Sequence, residues 1–255
     1  MTIGPLLWMV STSLKGPGEI FSLPPKWIPN PPVWANYVEA WNAAPFGLFF
    51  YNTCLITFSV VVGRLFICSL GGYAFARLRF PGSQVAFALL LGAMLIPGTV
   101  TLIPQYYMFR LFGWIDTPWP LIMPGVFANT FGTFLLRQFF MTIPDELEDA
   151  ARIDGASSMQ IYHRIMLPQA KPALAALGIF TFMGSWNDFM GPLIYLNTYE
   201  KMTLQVGLAQ FQGEFYTDWQ LLMAASVIVL LPVLLVYLFC QRYFIEGITL
   251  TGLKG

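Results

Sequence analysis

The chain has 255 residues, of which 56% are hydrophobic and 10% charged, and its mean hydropathy is +0.63. Soluble domains carry about 25% charged residues, so this deficit marks a membrane protein. Thirteen Lys and Arg balance thirteen Asp and Glu, which leaves no basic field for nucleic acid. Cys54, Cys68 and Cys240 each lie in an apolar run without CxxC spacing, so they are read as buried small hydrophobes, not as a disulfide or zinc set.

In chain order, apolar runs at 1–12 (partial), 46–75, 84–104, 118–141, 173–195 and 220–240 predict an all-α integral membrane protein of six transmembrane helices. The opening residues MTIGPLLWMVSTSLKG lack a basic n-region and a cleavage site. They read as the outer end of a span truncated below the roughly 20 residues a crossing needs, with residues expected upstream. The Pro- and Trp-rich segment 13–45 is expected to be irregular as far as a short interfacial helix at Trp34–Trp41. Arg64 falls near the middle of the second run, at an insertion cost of roughly 2.5–3.5 kcal/mol, and is expected to face the bundle interior. It either touches substrate or a pore carboxylate, or pairs with a helix-end carbonyl or acid.

One set of connections carries Arg77, Arg79, Arg152, Arg164, Lys171, Arg242 and Lys254. The opposite set mixes Lys15, Lys26, Arg110 and Lys201 with acids. Positive charge stays inside, which places the 143–172 loop and the C-terminus in the cytoplasm. That loop opens with Pro144 and four acids, Asp145, Glu146, Glu148 and Asp149, a helix N-terminus by charge and proline placement. Leu147, Ala150 and Ala151 are expected to share one face, and Gly155 to end or bend the helix. Ser157 with Gln160 reads as a capping box for a second short helix that Ile161 and Ile165 line and Pro168 stops. Two short helices joined at a glycine make a knob, small at Ala150 and Ala151 and charged at Asp149 and Arg152.

The spacing Asp149-Ala150-Ala151, Gly155, Ile165, Leu167-Pro168 resembles the EAA loop of ABC-importer permeases. GGYAFARLRFPG at 71–82, IPGTVTLIPQYYMF at 96–109, WNDFMGPLIYL at 186–196 and GITLTGLKG at 247–255 extend the resemblance nearly end to end, to the second permease of the carbohydrate-type, maltose-permease family. The resemblance implies the type I ABC-importer permease fold: one transmembrane domain over 1–255, with a cytoplasmic ATPase-coupling loop at 143–168. It also implies a second permease subunit, most simply as a heterodimer, two ATPase subunits that carry ATP and Mg, an extracytoplasmic solute-binding protein, and no cofactor in this chain. Asp149, Ala150, Ala151, Arg152, Gly155, Ile165, Leu167 and Pro168 become the ATPase-coupling residues. Asp149 stands where the family usually has Glu.

Asn187 and Asp188 interrupt the fifth run and, with Trp186 as an aromatic on which a sugar stacks, join Arg64 as substrate-pathway candidates. The alternative for Asn187 and Asp188 is a cap at a helix break near Gly191-Pro192. By the resemblance, the loop with Glu200, Lys201, Gln205 and Gln210–Phe215 meets the binding protein, and a flexible tail with Gly247, Gly252, Lys254 and Gly255 reaches the ATPases. The chain lacks GxxxxGK[ST], GxSxG and HExxH, and His163 is its single His, so an enzyme is not expected. The reading is a sugar or oligosaccharide permease of the inner membrane. The alternatives are a permease for glycerol phosphate or another polar solute, and a stand-alone secondary transporter.

Overall fold

The computed structural model describes residues 3–213 and 217–252, with side chains through Cys240. Among these the regular structure is helical, apart from one isolated bridge between Gln212 and Thr217. Three stretches are long and apolar enough to cross a bilayer unaided: Phe46–Arg77, Trp119–Thr142 and Trp219–Cys240. Two bent pairs join them, Ser83–Ala93 with Gly98–Leu111 and Ser158–Gln169 with Lys171–Trp186. The chain divides into two compact units, residues 1–55 with 187–236 and residues 56–186 with 237–255.

The first unit holds α1 (Gly4–Ser13), α2 (Ala35–Asn42), residues 46–55 of α3 (Phe46–Arg77), α12 (Met190–Tyr195), α13 (Leu204–Ala209) and most of α14 (Trp219–Gly252). The expected interfacial helix is α2. Between α1 and α2 the chain is irregular, with cis peptide bonds at Leu23–Pro24 and Asn30–Pro31. The Asn36 side-chain amide donates to the carbonyls of Ser13 and Lys15, at 2.9 Å each, and so pins this segment. Lys15 belongs to the outer connections but is not a solvated cation. It is buried, with Nζ 3.8 Å from the centre of the Trp8 ring. Burial pushes its amine below the ordinary lysine range, and Glu19 acts in the opposite direction.

The 197–210 connection is tied down as well. Asn52 Nδ2 donates to Glu200 O at 2.8 Å and Met202 O at 3.0 Å, and Leu204 N donates to Thr53 Oγ1 at 3.0 Å. Gly207 lies flat against the Phe49 ring, where a Cβ would come within 2.5 Å of a ring carbon. Glu214 and Phe215 of the expected binding-protein loop, and Lys254 and Gly255 of the expected tail, lie outside the described residues. Gly247 and Gly252 are helical, because α14 continues to Gly252.

The second unit contains the rest of α3, α4 (Ser83–Ala93), α5 (Gly98–Leu111), α6 (Trp119–Phe127), α7 (Thr130–Thr142) and the segment through α11 (Lys171–Trp186). Glycines set its helix crossings. Gly63 faces Val126 and Gly125 faces Val60, so α3 and α6 approach closely. Gly72 faces the backbone of Leu136 and Arg137 on α7. Small residues at such crossings allow the close approach that drives helix association in lipid.

The run at 84–104 is not one helix. It breaks between α4 and α5 with a bend of 100°. Pro97 disfavours helical backbone at Ile96 and offers no N–H of its own, and it sits extended at φ −61°, ψ 132° as the N-cap of α5. The run at 118–141 is likewise interrupted at Ala128–Asn129, where the Asn129 side chain caps α7 by accepting from Gly132 N.

Candidate functional site

The loop at 143–170 has two opposed faces. Helix α8 (Asp145–Ile153) buries Glu148 and Ala151, while Leu147, Ala150 and Asp149 are exposed. Of the three residues expected on one face, Ala151 is buried and Leu147 and Ala150 are exposed; the buried positions are an i, i+3 pair that includes a carboxylate.

That carboxylate is explained by Arg77 at the end of α3. The Glu148 residue is 5% exposed, and its Oε2 lies 3.8 Å from Arg77 Nε. Arg77 also donates to Phe140 O at 2.7 Å, to Ile143 O and to the Asp145 carboxylate. Glu148 Oε1 accepts from Arg152 at 2.7 Å. One guanidinium thus collects orphan carbonyls from the end of α7 and the acids of α8, a use that its planar fork of donors suits. Arg77, Asp145, Glu148 and Arg152, with Arg79 and Asp149, line a cleft of about 500 Å³.

Helix α8 ends in a Schellman turn. Gly155 adopts φ 79°, its N–H donates to Arg152 O, and the Ala156 N–H donates to Ala151 O. Ser157 and Gln160 form the reciprocal capping box of α9 (Ser158–Ile161). The helix does not stop at Pro168. A π-helical turn at Tyr162–Met166 leads directly into α10 (Leu167–Gln169). Proline cannot donate to the carbonyl four residues back, and its ring collides with it, so the wider turn accommodates Pro168 without ending the helix. The chain bends by 75° after Gln169 and continues as α11.

The inner face of this knob is welded to α3 and α7. Ile161, Tyr162 and Met166 are buried with Tyr73, Phe140 and Leu136, and Ile165 and Leu167 pack against that cluster. Tyr162 Oη lies 2.7 Å from Ser69 Oγ, and Tyr73 Oη donates to Ser158 O at 3.2 Å. The outer face carries Asp149, Ala150, Arg152, Gly155 and Pro168, with apolar Leu147, Met159 and Ile153, which is 87% exposed. The eight expected coupling residues thus divide: Ala151, Ile165 and Leu167 hold the knob, and Asp149, Ala150, Arg152, Gly155 and Pro168 are presented outward. Glu148, Arg77 and Ile153 are the residues that sequence reasoning missed.

Each expected substrate residue is engaged by contacts within its own unit. Arg64 is half-buried, and its Nε donates to Gly125 O at 2.6 Å. That carbonyl lies in the last turn of α6 and lacks an intrahelical partner, so the structure supplies the helix-end pairing for Arg64. Trp186 is 1% exposed and stacked on Phe182 at 5.3 Å, so its ring is a core element and not a face for a sugar. Asn187 accepts from Gln205 Nε2 at 3.3 Å. Asp188 accepts from Gly191 N at 3.2 Å, one residue ahead of the N-cap Phe189, and so satisfies a free donor in the first turn of α12; this is the cap at a helix break near Gly191-Pro192.

Residues 68–249 match the family described as binding-protein-dependent transport system inner membrane component. The sn-glycerol-3-phosphate transport system permease protein UgpE of Yersinia enterocolitica is 34% identical over 90% of this chain and 84% of its own length. The diacetylchitobiose uptake system permease protein NgcG of Streptomyces coelicolor is 34% identical over 95% of this chain and 81% of its own. A chain of the bacterial ABC transporter involved in import of the acidic polysaccharide alginate superposes with a TM-score of 0.86 at 26% identity, covering 95% of this chain and 91% of that one. None of these relatives is a stand-alone secondary transporter. The chain is an inner-membrane permease component of a binding-protein-dependent ABC importer and belongs to that family.

Proposed function

We propose that this permease moves a sugar or oligosaccharide into the cytoplasm, as one transmembrane domain paired with a second permease subunit. ATP and Mg bind two partner ATPase subunits, and an extracytoplasmic solute-binding protein delivers the solute. The 143–168 loop and the C-terminus face the cytoplasm. The observation that carries the coupling role is the two-faced knob: its inner side is fixed to α3 and α7, while its outer side presents Leu147, Ala150, Ile153 and Asp149 to a partner. ATPase closure against that outer side moves the two spans with it. The relatives named for diacetylchitobiose and alginate favour a carbohydrate. The relative named for glycerol phosphate favours a small anionic polyol as the second reading.

The test is uptake into vesicles that hold the assembled importer, ATP inside and the binding protein outside. Labelled oligosaccharide is expected to accumulate only with ATP and binding protein, and glycerol phosphate in excess is expected not to compete. Accumulation without ATP, or uptake of glycerol phosphate alone, contradicts the proposal.

A further inference from the structure

A second built site lies away from the knob, where the end of α3 meets α4 and α7. It is a cavity of about 190 Å³ whose donors are Arg137, Ser83 and Gln84 and whose apolar walls include Phe75, Phe87 and Leu91. Arg137 is held in place by two contacts: its Nε donates to Phe75 O at 3.1 Å, and its guanidinium lies 4.2 Å above the Phe87 ring. These contacts leave both terminal amino groups without a protein acceptor among the described residues, and the side chains of Ser83 and Gln84 have no protein partner there either. A fixed cation beside two uncommitted donors, within an aromatic wall, suits a phosphate oxygen.

The surroundings identify the phosphate's carrier. Phe75 is two positions from Arg77, at the end of α3, so the cavity sits at the charged rim of the span. Helix α4 buries none of its residues, and Val85 and Leu89 are exposed on it beyond the cavity. An apolar helix surface that leads away from a basic pocket is what an acyl chain needs below its headgroup. We propose that this cavity binds the headgroup phosphate of an anionic glycerophospholipid, with its acyl chain laid along α4. The site would make the permease responsive to membrane composition, independently of which solute it carries.

The test is native mass spectrometry of the whole importer after incubation in vesicles of phosphatidylcholine with phosphatidylglycerol as the minor component. The expected result is selective retention of phosphatidylglycerol by the wild-type complex, not displaced by inorganic phosphate. Arg137→Gln is expected to lower retention by roughly fivefold, about what one lipid-facing cation contributes; Arg137→Lys should restore part of it, and Gln84→Leu should weaken it alone. Equal retention of the two lipids, displacement by inorganic phosphate, or undiminished retention in both Arg137→Gln and Gln84→Leu overturns the proposal. Because the wild-type lipid preference needs neither a variant nor transport, it separates this site from the transport reading.

Discussion

Arg77→Ala is expected to unfasten the coupling knob and abolish ATP-driven uptake. The substitution leaves the half-exposed Arg152 as the cation within reach of buried Glu148, and leaves the carbonyls of Phe140 and Ile143 without the guanidinium donor. Breaking one side of a buried pair costs about 3–5 kcal/mol, chiefly because the surviving charge stays desolvated. Asp145 contributes little to this, since its side chain is largely exposed and such pairs are worth about 0–1 kcal/mol. The Arg152 contact keeps Glu148 partly paired, so the loss should fall at the lower end of that range. The measurement pairs thermal unfolding of the purified importer with uptake. Arg77→Met combined with Glu148→Met should recover stability relative to Arg77→Ala, because two apolar groups leave no orphan charge. If Arg77→Ala unfolds and transports like the parent, Arg77 does not fasten the knob.

Gly72→Ala is the second large effect. A Cβ at this position lies 2.9 Å from Arg137 N, 2.9 Å from Leu136 Cβ and 3.1 Å from Leu136 C. Two of these three are backbone atoms, so no rotamer change relieves the overlap, and α3 and α7 must separate. Overpacking of this kind costs about 1–3 kcal/mol. It would also disturb the platform on which the knob rests, because Leu136 and Phe140 of α7 pack with Ile161, Tyr162 and Met166. Gly184→Ala on α11 is the control, since its Cβ meets nothing within 4 Å and alanine favours helix by about 1 kcal/mol. Thermal unfolding should therefore shift down for Gly72→Ala and stay level or rise for Gly184→Ala. Equal shifts would mean that the α3–α7 crossing is not close-packed at Gly72.

Much of the architecture was legible in the sequence because the physics behind it is local. Apolar runs located the three helical stretches long enough to cross a bilayer, Pro144 and the acids opened α8, Gly155 supplied its positive φ, and Ser157 with Gln160 capped α9. What escaped depends on partners far along the chain. Nothing near Glu148 reports that Arg77 meets it, so a buried carboxylate looked like one more polar loop residue. Hydropathy also averaged across the bend at Pro97, although the proline that causes it was visible. Trp186 could have been placed correctly: Phe182 and Trp186 stand four residues apart on α11, the spacing of a buried helical face. A polar neighbour, Asn187, drew attention to the wrong property of that tryptophan. Pro168 was misread because the widening of a helix into a π turn leaves no simple sequence sign.

The outer face of the knob is expected to dock on an ATPase, and cysteine crosslinking in the assembled importer shows whether it does. Ile153→Cys, at an exposed position, should crosslink to an ATPase subunit through a short bifunctional thiol reagent, and the yield should change when ATP is bound. Ile161→Cys, at a fully buried position on the inner face, should not crosslink. An importer in which Ile153→Cys reaches no ATPase, while uptake remains ATP-driven, would contradict the account.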